Sequence, residues 1–122
     1  MTEDFFDGFL ECALWSSTND DGEPLDDDFG VEDIAPESLK ELRTDCVDFY
    51  NANERLLDIA TRQIGRPDSY HGHDFWLTRC GHGAGFWDRG YKHGIGDKLT
   101  EAAKVYGNVD LYVGDDGKVY AS

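Results

Sequence analysis

His71, His73, Cys80 and His82 carry the side chains richest in coordination chemistry. Imidazole nitrogen and thiolate sulfur suit zinc and related transition metals. His71-x-His73 and Cys80-x-His82 meet if the connector between them folds back. One-residue spacing is unusual for structural zinc, and no carboxylate is placed as a catalytic partner. The expectation is histidines in a polar loop, with no resident metal and no cofactor.

A second constellation is Gly81-His82-Gly83-Ala84-Gly85, flanked by Arg79, Arg89 and Lys92. Glycines let backbone N–H groups converge on an anion, and arginine adds paired hydrogen bonds. Arg79, Gly81, His82, Gly83, Gly85 and Arg89 are therefore the candidates for a small anionic ligand. The run lacks the Lys-Ser/Thr of a P-loop and the helix that follows GxGxxG. A tight hairpin needing positive φ accounts for the same glycines.

The third is the acid run Asp20, Asp21, Glu23, Asp26, Asp27, Asp28, Glu32 and Asp33, continued by Glu37, Glu41, Asp45 and Asp48. The order departs from the calcium loop D-x-D-x-D-G with a distal Glu. A row of spaced carboxylates instead imitates a phosphate backbone and attracts a basic surface. Asp20 to Asp33, with Glu37 and Glu41, are the candidate partner-binding residues. The aromatics Trp76, Phe86, Trp87 and Tyr91 read as core packing rather than base stacking. Nucleophilic catalysis has no support: no serine stands in GxSxG, and a pairing of Cys80 with His71 or His93 is geometrically open but has nothing else behind it.

These groups sit on a chain of 122 residues with net charge −15. Residues 1–60 hold 18 of the 26 acids and 3 of the 11 bases, and residues 61–122 are balanced. Such a field repels nucleic acid and anionic membrane and favours basic partners. The three cysteines are widely spaced without CxxC, which predicts a reducing compartment. The start MTEDFFDGF is acidic where a signal peptide is basic, so the expected location is the cytoplasm.

Phe5, Phe6, Phe9, Leu10, Ala13 and Leu14 predict a helix over 3–16 capped by Thr2. Residues 18–33 predict a solvated loop. Pro36 opens a second helix whose stripe Leu39, Leu42, Cys46, Phe49, Asn53, Leu56, Ala60 runs to about Ile64, with Gly65 as cap. The two helices are expected to pair antiparallel. HDFWLTR and FWDR predict strands around the glycine loop. A short helix follows Asp97 and ends at Gly107, and VDLYVGDDGKVY predicts a hairpin. The expected fold is one α+β domain over 1–122. It has two N-terminal helices (an acidic helical half, 1–64) on an antiparallel sheet of about four strands in two hairpins (a charge-balanced half, 65–122). One short helix lies between the hairpins.

HDFWLTRCGHGAGFWDRGY, GDKLTEAAKVYG and DLYVGDDGKVY together resemble a group of small proteins of unassigned function encoded by bacteriophages and other mobile elements. FLECALWSSTNDDGEPLDDDF and IAPESLKELRTDCVDF are similar to that group too, so the resemblance spans most of the chain. It places a polar residue, often asparagine, where Cys80 stands, which implies that Cys80 is neither an essential ligand nor a nucleophile. It implies a phage context and brings no activity or fold. The expected function is a non-enzymatic phage accessory protein that binds a basic host or phage protein through its acidic face, as an inhibitor imitating nucleic acid. The alternatives are a small anionic-ligand or metal protein using residues 79–93, and a virion or assembly component.

Overall fold

The computed structural model describes residues 1–81 and 83–122. Its order is α1 (Glu3–Ser16), two short 3-10 turns (Leu25–Asp27 and Val31–Asp33), α2 (Pro36–Ala52), α3 (Glu54–Ile64) and α4 (Asp68–Cys80). A 3-10 turn (Phe86–Asp88), α5 (Ile95–Lys104), β1 (Leu111–Val113) and β2 (Val119–Ala121) follow.

The expected four-strand sheet is corrected. The described residues form a mainly helical molecule with a single two-stranded antiparallel sheet, Tyr112 opposite Tyr120. HDFWLTR lies in helix α4, and FWDR forms a 3-10 turn. The physical reason is the burial pattern of α4. Helix α4 runs through the middle of the molecule and is covered almost all round. His71, Gly72, Asp74, Phe75, Trp76, Thr78 and Arg79 are buried; beyond the first residues Asp68 and Ser69, Tyr70, His73, Leu77 and Cys80 form a stripe nearer solvent. That stripe has helical spacing, but buried polar residues erase the apolar period that marks a surface helix.

Helix α1 packs chiefly on α4 rather than on α2, so the expected antiparallel pair of N-terminal helices is also corrected. The crossing is glycine on both sides. A Cβ on Gly8 would lie 2.0 Å from the Ser69 carbonyl oxygen, and one on Gly72 would lie 2.1 Å from the Phe5 carbonyl oxygen. The two backbones touch, and only hydrogen fits between them. Thr2 caps α1 by accepting from the Phe5 N–H at 3.3 Å, and Glu3 and Asp4 occupy its positive end.

Pro36 begins α2 at the expected position, but the long second helix is two helices. At Asn53 the backbone leaves the helical region, and its side-chain amide donates to the Phe49 carbonyl at 2.9 Å. The same carbonyl also accepts the Asn53 backbone N–H at 3.1 Å, so Asn53 closes the end of α2 with both its donors where α3 begins. The stripe continues at nearly the expected spacing while the axis turns.

The core is aromatic. Phe49 and Phe75 stack at 4.1 Å, with Phe5, Phe9, Trp76, Phe86 and Tyr106 around them. The hairpin closes on the start of α2: the Ala35 N–H donates to the Val119 carbonyl at 2.8 Å, and the Ala121 N–H to Ser38 Oγ at 3.0 Å. Among the described residues no helix is long and apolar enough to cross a membrane.

Candidate functional site

Helix α4 distributes its reactive side chains over separate directions. His71 is fully buried, with Nε2 2.8 Å from Thr61 Oγ1 of α3 and, among the described residues, no partner at Nδ1. Burial lowers its pKa against the opposing pull of Asp68 and Asp74. His73 is half-buried on the stripe, its ring edge-on to Tyr70 at 5.5 Å, and burial lowers its pKa too. Cys80 Sγ donates to the Val109 carbonyl at 3.2 Å, and burial pushes the thiol up to about 12. Among the described residues no three His, Cys, Asp or Glu side chains gather as a metal site. His82 lies outside the described residues.

Because both histidines titrate below the free imidazole, the unfolded chain takes up protons first as pH falls below about 6.5. Well above that value both forms are neutral and the histidines contribute nothing to the pH dependence. Below it, stability is lost until the folded values are reached. The urea midpoint of the native protein should therefore fall relative to that of His71→Gln between about pH 7 and pH 5.5. A gap between the two that stays constant over that window contradicts the burial argument.

The strongest electrostatic feature was not visible in the sequence. Asp74 is fully buried on α4 and is held by two arginines. Arg66 donates from Nε to Oδ2 at 2.9 Å and from Nη2 to Oδ1 at 3.1 Å. Arg89 donates from Nε to Oδ1 at 3.0 Å, with Nη2 2.8 Å from the same oxygen. The triad ties the α3–α4 connector and the segment after the glycine loop to the central helix. Tyr91 stands beside it with a buried hydroxyl that has no partner among the described residues, and burial pushes its pKa up to about 12.

Arg79 is equally committed. Its Nε and Nη2 donate to the carbonyls of Gly107 and Tyr106 at 3.0 and 3.1 Å. Its Nη1 lies 3.1 Å from Asp45 Oδ2, close enough for an ion pair although not aligned as a hydrogen bond. Its guanidinium also lies over Phe75 and Tyr106. Arg79 thus closes the end of α5 instead of facing a ligand.

The glycine loop is explained by its own geometry. Gly81 takes the left-handed conformation that ends α4, and Gly83 has φ +77°. Gly85 is buried against Thr78, whose Oγ1 accepts from the Phe86 N–H at 3.2 Å. Arg79 and Arg89, the two arginines expected to flank an anion there, both serve internal carboxylates and carbonyls.

The acids lie at the surface. Asp20, Asp21, Glu23, Asp26, Asp27, Asp28, Glu32, Glu37 and Glu41 are exposed, and Asp33 is half-buried, accepting from the Gly30 N–H at 2.8 Å. Asn19 Oδ1 accepts from the Asp21 and Glu23 N–H groups, both at 2.9 Å, and fixes the first part of the loop. Among the described residues none of these acids is in an ion pair. They are spread rather than gathered. Asp20, Asp21 and Asp28 border a depression beside β1, Asp26 borders another with Glu11, Trp15 and His73, and Glu37 and Glu41 lie along α2.

Sequence reasoning missed α1 as part of this surface. Asp7, Glu11 and Trp15 recur every fourth residue and form one exposed ridge. That spacing was present in the sequence, but the apolar face of the same helix dominated its interpretation. Comparison of the chain with protein-family models, with curated proteins and with solved structures finds no match.

Proposed function

We propose that this chain is a non-enzymatic accessory protein, of the phage type its sequence resembles, that binds a basic host or phage protein through its acidic surface. One observation carries the reading: among the described residues the acids of 20–41, all exposed but the half-buried Asp33, stand in no ion pair, whereas the charges of the interior, Asp74 and Arg79, are each held by an opposite charge. Carboxylates left unpaired keep their full field for a partner. Imitation of a nucleic-acid backbone is the specific form. The field then competes with phosphates for a basic groove, and carboxylates that keep bridging waters at a wet interface avoid the full cost of desolvation.

The test is affinity capture of host-cell proteins by the native chain and by the variant Asp26→Asn, Asp27→Asn, Asp28→Asn. The native chain should retain basic nucleic-acid-binding proteins that added DNA displaces, and the variant should retain markedly less. Retention that neither DNA nor the substitutions reduce contradicts the proposal.

A further inference from the structure

Trp15 is 62 % exposed in the last turn of α1, an unusual place for an indole in so aromatic a fold. It borders a depression of about 260 Å³ shared with Glu11 and Cys12 of α1, Asp26 of the first 3-10 turn and His73 of α4. The depression is too small for a folded element and accommodates one long side chain. No cation lines it. His73 is held neutral near pH 7 by burial, and burial pushes the Cys12 thiol up to about 12. Arg66 and Arg89, whose charges act on His73, are occupied by Asp74. Glu11 and Asp26 therefore face an indole with no counter-ion between them.

We propose that this notch seats an arginine side chain of the basic partner. A guanidinium lies flat on an indole while its edge donates to carboxylates, a combination that the compact, strongly hydrated lysine ammonium matches less well. An exposed tryptophan ringed by polar groups is also the composition of a binding hot spot. A second copy of this chain is a poor occupant, because each copy carries net charge −15 and would bring its own acids to the notch. The inference rests on the proposed binding of a basic partner and adds where and how that partner is held.

The probe is a hexa-arginine peptide titrated into the full chain by calorimetry, with hexa-lysine in parallel. Trp15→Ala should weaken hexa-arginine binding about tenfold, Trp15→Phe about threefold or less, and hexa-lysine should respond less to either. Asp26→Asn with Glu11→Gln should weaken it about tenfold, whereas Asp20→Asn with Asp21→Asn, an equal charge change elsewhere, should cost about threefold or less. Trp15 is largely exposed, so an unchanged urea midpoint in Trp15→Ala confirms that folding is not the cause. Binding that ignores Trp15, or equal losses in the two charge-matched pairs, overturns the notch and leaves the acidic surface standing. Absence of any hexa-arginine binding overturns both. A dimer of the native chain that Trp15→Ala dissociates assigns the notch to a second copy and overturns the proposal.

Discussion

Gly72→Ala is expected to lower stability by about 3 kcal/mol or more, enough to unfold a large fraction of a domain of ordinary stability. Two effects oppose each other. Alanine is the better helix former, favouring the variant by about 1 kcal/mol in an open helix. Here the new methyl would stand 2.1 Å from the Phe5 carbonyl oxygen and 2.7 Å from the Phe9 nitrogen. Both are backbone atoms, so no side chain can swing away, and α1 must move off α4. That separation would loosen Phe5 and Phe9 against Phe75 and Trp76, the contacts at the centre of the core. Urea denaturation followed by circular dichroism measures the loss. A midpoint equal to or above that of the native protein contradicts the packing described for α1 and α4.

Asp74→Asn is the second large effect. The variant keeps the shape of the side chain and removes the anion that two arginines share. Removing one member of a buried ionic group costs about 3–5 kcal/mol when the remainder is dry. Arg66 and Arg89 side chains keep 22 % exposure and can partly rehydrate, so the expected loss is about 3 kcal/mol. Arg66→Met with Arg89→Met should be worse, since the fully buried carboxylate then has no cation at all. Replacing the whole triad by Asp74→Leu, Arg66→Met and Arg89→Met should recover much of the loss. The order of the three urea midpoints checks the argument. If the arginine pair proves milder than Asp74→Asn, the carboxylate is not the dry member.

These two effects also mark what the sequence could and could not convey. Helix α1, the proline start of α2, the glycine cap at Gly65 and the hairpin of the last segment rest on signals within a few residues, and the structure has each of them, although the turn spans Gly114–Gly117 rather than centring on Asp116-Gly117. Helix α4 rests on its surroundings. His71, Asp74, Thr78 and Arg79 look like surface residues in sequence, and partners distant along the chain make them interior: Thr61, Arg66, Arg89, the Phe86 N–H, Asp45 and the carbonyls of Tyr106 and Gly107. Alternating Phe75, Trp76, Leu77 and Thr78 then mimics a strand.

The same blindness shaped the candidate sites. The arginines around the glycine loop were legible as charges, while the partners that occupy them come from far along the chain. Gly8 and Gly72 signal nothing in sequence, because their importance is the other helix's backbone. The acids of the 20–33 loop behave as charge repulsion requires, and they remain at the surface. What local reasoning could not supply was that Asp26 would meet Glu11, Trp15 and His73.

The central claim is that exposed, internally unpaired carboxylates hold a basic partner. It is tested most directly by calorimetric titration of the principal captured partner into the native chain over a salt series from about 50 to about 300 mM, across which surface charges become strongly screened. The predicted result is an affinity that falls steeply and linearly in the logarithm of salt, with a shallower slope for Asp26→Asn, Asp27→Asn, Asp28→Asn. An affinity independent of salt, or a slope that the three substitutions leave unchanged, contradicts it.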